Sequence, residues 1–209
     1  MLAEEPSAEN VRQRQSAETR SQLLDAAEAV FGERGYQATS VGAITDRANT
    51  AHGTFYLYFK NKEDVFCCVM EAVIIDELAA AAQAPADGPP RQIIDHVLRG
   101  FVSAYTPHVG LWRAVLEGAL ISPRVRQLWL ELRHVFIDRV TAGLEAGQAV
   151  GTIRPLDPVL AAHALAAMVE WFAFTHLELN TPPAQENLDG AIKVLADLWH
   201  HAIFGEVPA

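Results

Sequence analysis

The chain has 209 residues, half of them hydrophobic, with 16 basic against 26 acidic side chains and a formal net charge of −10. That length holds one small and one larger domain, each with a core, and that charge excludes binding nucleic acid through a broadly basic surface. Residues 1–66 carry seven Lys and Arg against ten Asp and Glu, so any contact with a polyanion has to be local. Cys67 and Cys68, the only cysteines, are adjacent. Neighbours cannot close an ordinary disulfide, which fits a reducing, cytoplasmic setting. Met1 to Asn10 is polar and acidic without the apolar core of a signal peptide.

From Ala17 to Arg34, Leu23, Ala27, Val30 and Phe31 recur at helical spacing, and Gly35 stands where a helix needs a left-handed stop. Ser40, preceded by Thr39, caps a second helix from Val41 to Ala48 with Ile44 and Ala48 inward. Asn49 tolerates the left-handed turn that leads into a third helix, Ala51 to Tyr58. Phe55 and Phe59 face the core, and Gly53, Thr54, Tyr56 and Tyr58 face outward. Asn61 caps a fourth helix, with Asp64 favourably placed in its first turn. Lys62, a cation at a positive helix end, calls for an external anion.

The fourth helix is expected to reach about Ala82, and Pro85 to Pro90 form a loop. Further helices follow over Gln92 to Thr106 and Leu111 to Ile121, then a long one from Pro123 capped by Ser122. Gly151 and Pro155 mark a loop, and Asp157-Pro158 opens a mostly apolar helix to Leu177. Its length invites a membrane reading, but His163 and Glu170 interrupt it and its many alanines suit a buried helix, so no membrane partner is expected. After Thr181-Pro182-Pro183, a last helix carries Leu188, Ile192, Leu195, Trp199 and Ile203 on one stripe. No segment alternates as a strand does, so the expected class is all-α.

Ala48-Asn49-Thr50-Ala51-His52-Gly53-Thr54-Phe55-Tyr56-Leu57-Tyr58-Phe59, followed by Lys62-Glu63, resembles the DNA-binding motif of the tetracycline-repressor (TetR) family. That pattern runs Ala-Gly-Val-Ser-x-Gly-Thr-x-Tyr-x-Tyr-Phe, then Lys and an acidic residue. Asn49, Thr50 and Ala51 depart from it, and with the cap serine replaced by Ala51, Thr50 is expected to cap the third helix. The resemblance implies a polar arm over 1–16, an N-terminal three-helix helix-turn-helix domain over 17–66, and a C-terminal helical ligand-binding and dimerisation domain over 67–209. It implies a homodimeric regulator, a repressor of a near-palindromic double-stranded DNA operator, released by a small, largely apolar effector. Ser40, Tyr58 and Lys62, with Thr39 and Lys60, are the implied phosphate contacts, and Val41, His52, Gly53, Thr54 and Tyr56 face bases. Ala162, Ala166, Leu195, Trp199 and Ile203 are the implied dimer interface. Arg12, Arg14 and Arg20 lie on a polar arm that could touch DNA, with an untethered tail as the favoured reading.

Phe101, Tyr105, His108, Trp112, Arg113 and Glu117, with Met168, Glu170, Trp171 and Phe172, combine aromatic walls with a few polar groups. They suit a small-molecule pocket, or an ordinary helical core. Glu117 and Glu170, carboxylates amid apolar neighbours, need partners, for which Arg113, Arg139 or a ligand are available. The fourth helix, through Val73, Ile74 and Leu78, is the expected link from pocket to DNA-binding domain. No nucleophile, Walker or dinucleotide motif occurs, and the histidines lack metal-ligand spacing. No enzyme, metal or cofactor is expected. The other reading is a helical protein-interaction module whose helix-turn-helix does not bind DNA.

Overall fold

A computed structural model describes residues 8–75, 88–179 and 187–205. Among them the chain forms nine α-helices and no strand. The first four are α1 (Ala8–Ala38), α2 (Val41–Arg47), α3 (His52–Phe55) and α4 (Lys62–Met70), the last extended by a π turn, Glu71–Ile75. Then come α5 (Pro90–Tyr105), α6 (Val109–Ile121), α7 (Pro123–Ala149), α8 (Pro158–Ala173) with a π turn Phe174–Glu178, and α9 (Leu188–Phe204).

The caps follow the side chains that can accept from orphan amides. Ser40 accepts from Ala43 N, Asn61 from Asp64 N, Ser122 from Val125 N, Asp157 from Leu160 N and Asn187 from Gly190 N. Gly35 breaks α1 with φ 78°, and Asn49 turns the chain between α2 and α3 with φ 50°. Two expectations change. The expected arm is, over its described residues from Ala8, part of α1. Thr50 does not cap α3: its hydroxyl is buried without a hydrogen-bond partner and α3 has no side-chain cap. The expected run of the fourth helix to Ala82 and the Thr181-Pro182-Pro183 break lie outside the described residues.

Two cores organise the packing. The first joins Leu23, Val30 and Phe31 of α1 to Ile44, Phe55, Phe59, Val65 and Phe66, and continues into Leu111 and Val115 of α6 and Val125 of α7. The second lies among α5, α7, α8 and α9. The boundary drawn at residue 66 therefore cuts through a shared core. The centre of that sharing is a close crossing of α1 and α6, where a Cβ added at Gly110 would lie 2.2 Å from Gly32 O. Only a glycine lets the two backbones approach so far.

The second core also corrects the expected interface. Ala162 and Ala166 are 0 % exposed, and Leu195, Trp199 and Ile203 are buried with them inside one subunit. Small residues face inward there because α8 packs closely on α7. By length and composition Pro158–Glu178 could cross a membrane, but Ala162, Leu165, Ala166, Val169 and Ala173 give it a face packed into this core.

The glycines yield a paired prediction. Gly110→Ala meets backbone that cannot move aside and should destabilise the fold by about 1–3 kcal/mol. Gly143→Ala, on the exposed side of α7 with open space around its Cβ, should stabilise it by up to about 1 kcal/mol. Urea unfolding midpoints at constant slope measure both.

Candidate nucleic-acid interface and internal cavity

The turn after α2 holds α3 rigidly: Thr50 N donates to Thr45 O at 3.0 Å and Thr54 N to Ala51 O at 2.8 Å. Phe55 and Phe59 are buried beneath, which leaves His52, Gly53 and Tyr56 exposed on one surface, with Tyr56 53 % exposed and its ring 5.4 Å from His52. Thr54 and Val41 are half-buried beside them, Val41 packing on the first core. Beyond its chain neighbours and the backbone of its own helix, no atom lies within 4 Å of where a Gly53 Cβ would be, so the fold does not demand glycine. Ser40 is exposed, and its oxygen accepts from Ala43 N. Tyr58, half-buried, places its hydroxyl 3.3 Å from that of Ser16, and Lys60 is exposed.

Two of the expected phosphate contacts turn inward. Thr39 is buried and its hydroxyl donates to Gly35 O at 2.7 Å and more weakly to Val30 O, closing the end of α1 below the glycine break. Lys62 Nζ donates to Tyr36 O at 2.8 Å and Gln37 O at 3.3 Å, and lies 4.7 Å from the centroid of the Tyr36 ring. Instead of an external anion, Lys62 meets orphan carbonyl oxygens at the end of α1. Burial lowers the Lys62 pKa from the ordinary lysine value, partly offset by the Glu117 carboxylate. At the same helix start, the Lys60 backbone N–H holds Asp64 below the usual carboxylate range, assisted by Arg124. Asp64 therefore stabilises the fold at neutral pH, and this is lost as pH falls through its lowered pKa.

The second domain holds a cavity of about 470 Å³ between α5, α6, α7 and α8, open toward the exposed Trp171. Of the expected pocket residues, Phe101, Tyr105, Trp112, Glu170 and Trp171 line it. Trp129, Arg133 and Phe136 of α7 and Phe174 of the π turn also line it and were missed, because helical spacing gives no sign of which neighbouring helix such a residue meets. Tyr105 and Trp112 stack at 5.3 Å, and burial raises the Tyr105 pKa above the ordinary tyrosine value. The partner of Glu170 is Arg133, whose Nε lies 2.8 Å and 2.9 Å from its two oxygens. The wall is thus apolar and aromatic with one ion pair.

The other expected pocket residues lie elsewhere. His108 sits 2.9 Å from Glu28 of α1. Arg113 Nη1 pairs with Glu178 at 2.8 Å, and its Nη2 donates to Gly32 O and Glu33 O at 3.1 and 3.3 Å. Glu117 accepts from Gln37 N at 3.2 Å. Met168 and Phe172 are half-buried against the second core. One helix therefore presents Trp112 and Leu116 to the cavity and Arg113 and Glu117 to the end of α1. The π turn of α8 joins in, since Phe174 lines the cavity and Glu178, one turn on, holds Arg113. Val73, from the expected link, packs on the first core, while the side chain of Ile74 and all of Leu78 lie outside the described residues. Cys67 is buried and its thiol is pushed up to about 11, which makes it a packing residue rather than a reactive one.

An exposed α3 on a helix-turn-helix, sharing a core with a second helical domain that contains a cavity, is the architecture of a helix-turn-helix regulator. The profile described as bacterial regulatory proteins, tetR family, matches residues 23–67, and that of the transcriptional regulator EthR C-terminal domain matches residues 94–205. The chain belongs to the TetR family of transcriptional regulators, whose members are not enzymes. It is 23% identical to the HTH-type transcriptional regulator YhgD of Bacillus subtilis over 86% of this chain and 95% of that one. It is 26% identical to the A-factor receptor protein of Streptomyces griseus over 92% of this chain and 65% of the relative. Among solved structures, a TetR-like transcriptional regulator from Rhodococcus sp. RHA1 aligns with a TM-score of 0.69 at 26% identity, covering 88% of this chain and 94% of that one.

The interface yields a test of which groups serve the fold and which serve a partner. Lys62→Met should lower stability by about 1–3 kcal/mol, because it strips a charged donor from half-buried carbonyls. Gly53→Ala should leave the melting temperature unchanged or raised, since the space is open, yet weaken duplex binding in an anisotropy titration. A stable Lys62→Met protein would show that those carbonyls do not need the ammonium.

Proposed function

We propose that this protein is a cytoplasmic, homodimeric repressor that binds a near-palindromic operator through α3 and leaves it when a small, largely apolar molecule enters the cavity. The observation that carries this reading is the division of α6, with Trp112 and Leu116 at the cavity and Arg113 and Glu117 at α1. A ligand that moves α6 or the end of α8 acts directly on the helix that carries the helix-turn-helix. The relative named a receptor supports a sensing role. His52, Gly53, Thr54 and Tyr56 are the proposed base-facing set, and Ser40, Tyr58 and Lys60 the phosphate set.

The dimer surface moves to the outer faces of α8 and α9. Leu160, at 68 % exposure, stands with Ala164, Ala167 and Trp171 on α8, and Val194 and Leu198, at 60 % and 54 %, stand with Ala202 on α9. Two exposed apolar stripes of this kind suit a two-fold four-helix contact.

Two outcomes follow. Leu198→Arg, and separately Leu160→Arg, should convert the dimer to a folded monomer by light scattering, whereas Ala162→Arg should unfold the chain by placing a charge in a closed core. A Leu160→Arg, Leu198→Arg double variant that remains dimeric would contradict the surface. For the switch, apolar compounds should be titrated while following tryptophan emission, since Trp112, Trp129 and Trp171 line the cavity. A bound compound should weaken binding to DNA from upstream of the protein's own gene by about 5- to 150-fold. Arg113→Ala should keep the emission change and lose most of that weakening; full retention would place the coupling elsewhere. A parent protein that shifts no DNA in this experiment favours the protein-interaction reading.

A further inference from the structure

We infer that the N-terminal turns of α1 form a second DNA contact, with Arg12 and Arg20 placed to hold phosphates beside those engaged by α3. This rests on the DNA-binding reading above. The profile match begins at residue 23, but α1 begins at Ala8 and continues without a break to Gly35. Its first turns are anchored to the recognition segment: the Ser16 hydroxyl lies 3.3 Å from that of Tyr58, and the Arg20 guanidinium 5.4 Å from the Phe59 ring centroid. Arg12, Ser16 and Arg20 follow at four-residue steps and so share one face of the helix. Arg12 lies about 6 Å beyond Ser16 along the axis, past Tyr58.

The charges point the same way. This half of the chain is net acidic, yet a DNA-binding surface needs cations. Lys62 is held by Tyr36 O and Gln37 O, and Arg47 is paired with Glu33 at 2.6 Å. Arg12 and Arg20 are exposed, and Arg12 has no hydrogen bond or ion pair among the described residues. Arg14 differs: it lies two residues from Arg12, on another side of the helix, with Glu18 at 3.9 Å.

That difference supplies the experiment. Arg12→Ala and Arg14→Ala change the net charge equally, and alanine favours helix at least as well as arginine, so α1 keeps its first turns in both. Binding to a mixed-sequence duplex of about 30 base pairs should be followed by anisotropy between about 50 and 200 mM salt. Arg12→Ala should weaken binding several-fold and make the log–log salt slope shallower by about 0.9 per bound subunit. Arg14→Ala should match the parent, and Arg12→Lys should restore most of the slope. Equal behaviour of Arg12→Ala and the parent overturns the proposal and leaves DNA binding through α3 standing. Equal loss in both alanine variants also overturns it, as a general charge effect. A parent that binds no duplex overturns the DNA-binding reading and this contact with it.

Discussion

The rest of the structure depends on the close crossing of α1 and α6, where Gly32 and Gly110 bring two backbones together. Because no side chain separates them, Leu111 and Val115 reach the core beneath the helix-turn-helix, and Arg113 and Glu117 reach the end of α1. A wider crossing would leave Gly32 O, Glu33 O and the Gln37 amide to other partners, and the small N-terminal domain would have to be stable by itself. A domain of about sixty residues is marginal alone. The crossing therefore supplies stability to the DNA-binding half and joins it mechanically to the cavity-bearing half.

The polar groups at this junction form a chain. Glu178 at the end of α8 holds Arg113, Arg113 caps α1 at Gly32 and Glu33, and Glu117 takes the Gln37 amide just beyond the Gly35 break. Ser122, between α6 and α7, donates to the Glu63 carboxylate at the start of α4. A Cβ at Gly35 would lie 2.5 Å from a Glu117 oxygen, so the positive φ and the close carboxylate require the same residue. Each link joins a helix end to a different element, and helix ends are where unsatisfied backbone groups make such links favourable.

Local structure was legible where it depends on near neighbours. Caps at Ser40, Asn61, Ser122 and Asp157, the left-handed turn at Asn49 and the buried Phe55 and Phe59 all rest on residues within a few positions of one another. The direction of long polar side chains was not legible. Lys62 and Thr39 turn to carbonyls of α1, and Glu117 and His108 reach α1 from far along the chain; spacing says nothing of such partners. The apolar stripes of α8 and α9 were visible, but helical period alone does not say which of two apolar faces enters the core. Ala162, Ala166 and Trp199 went inward, and Leu160 and Leu198 stayed out.

If the shared core joins the two halves, they unfold together. Hydrogen exchange by mass spectrometry in increasing urea reports residues 23–67 and 109–149 separately in one sample, and all four tryptophans, Trp112, Trp129, Trp171 and Trp199, follow the second half by emission. A single transition is expected, with exchange in α1 to α3 and the tryptophan signal sharing one midpoint and slope. Loss of protection in α1 to α3 at clearly lower urea, with the tryptophan signal still native, would contradict it and make the helix-turn-helix an independently folding unit.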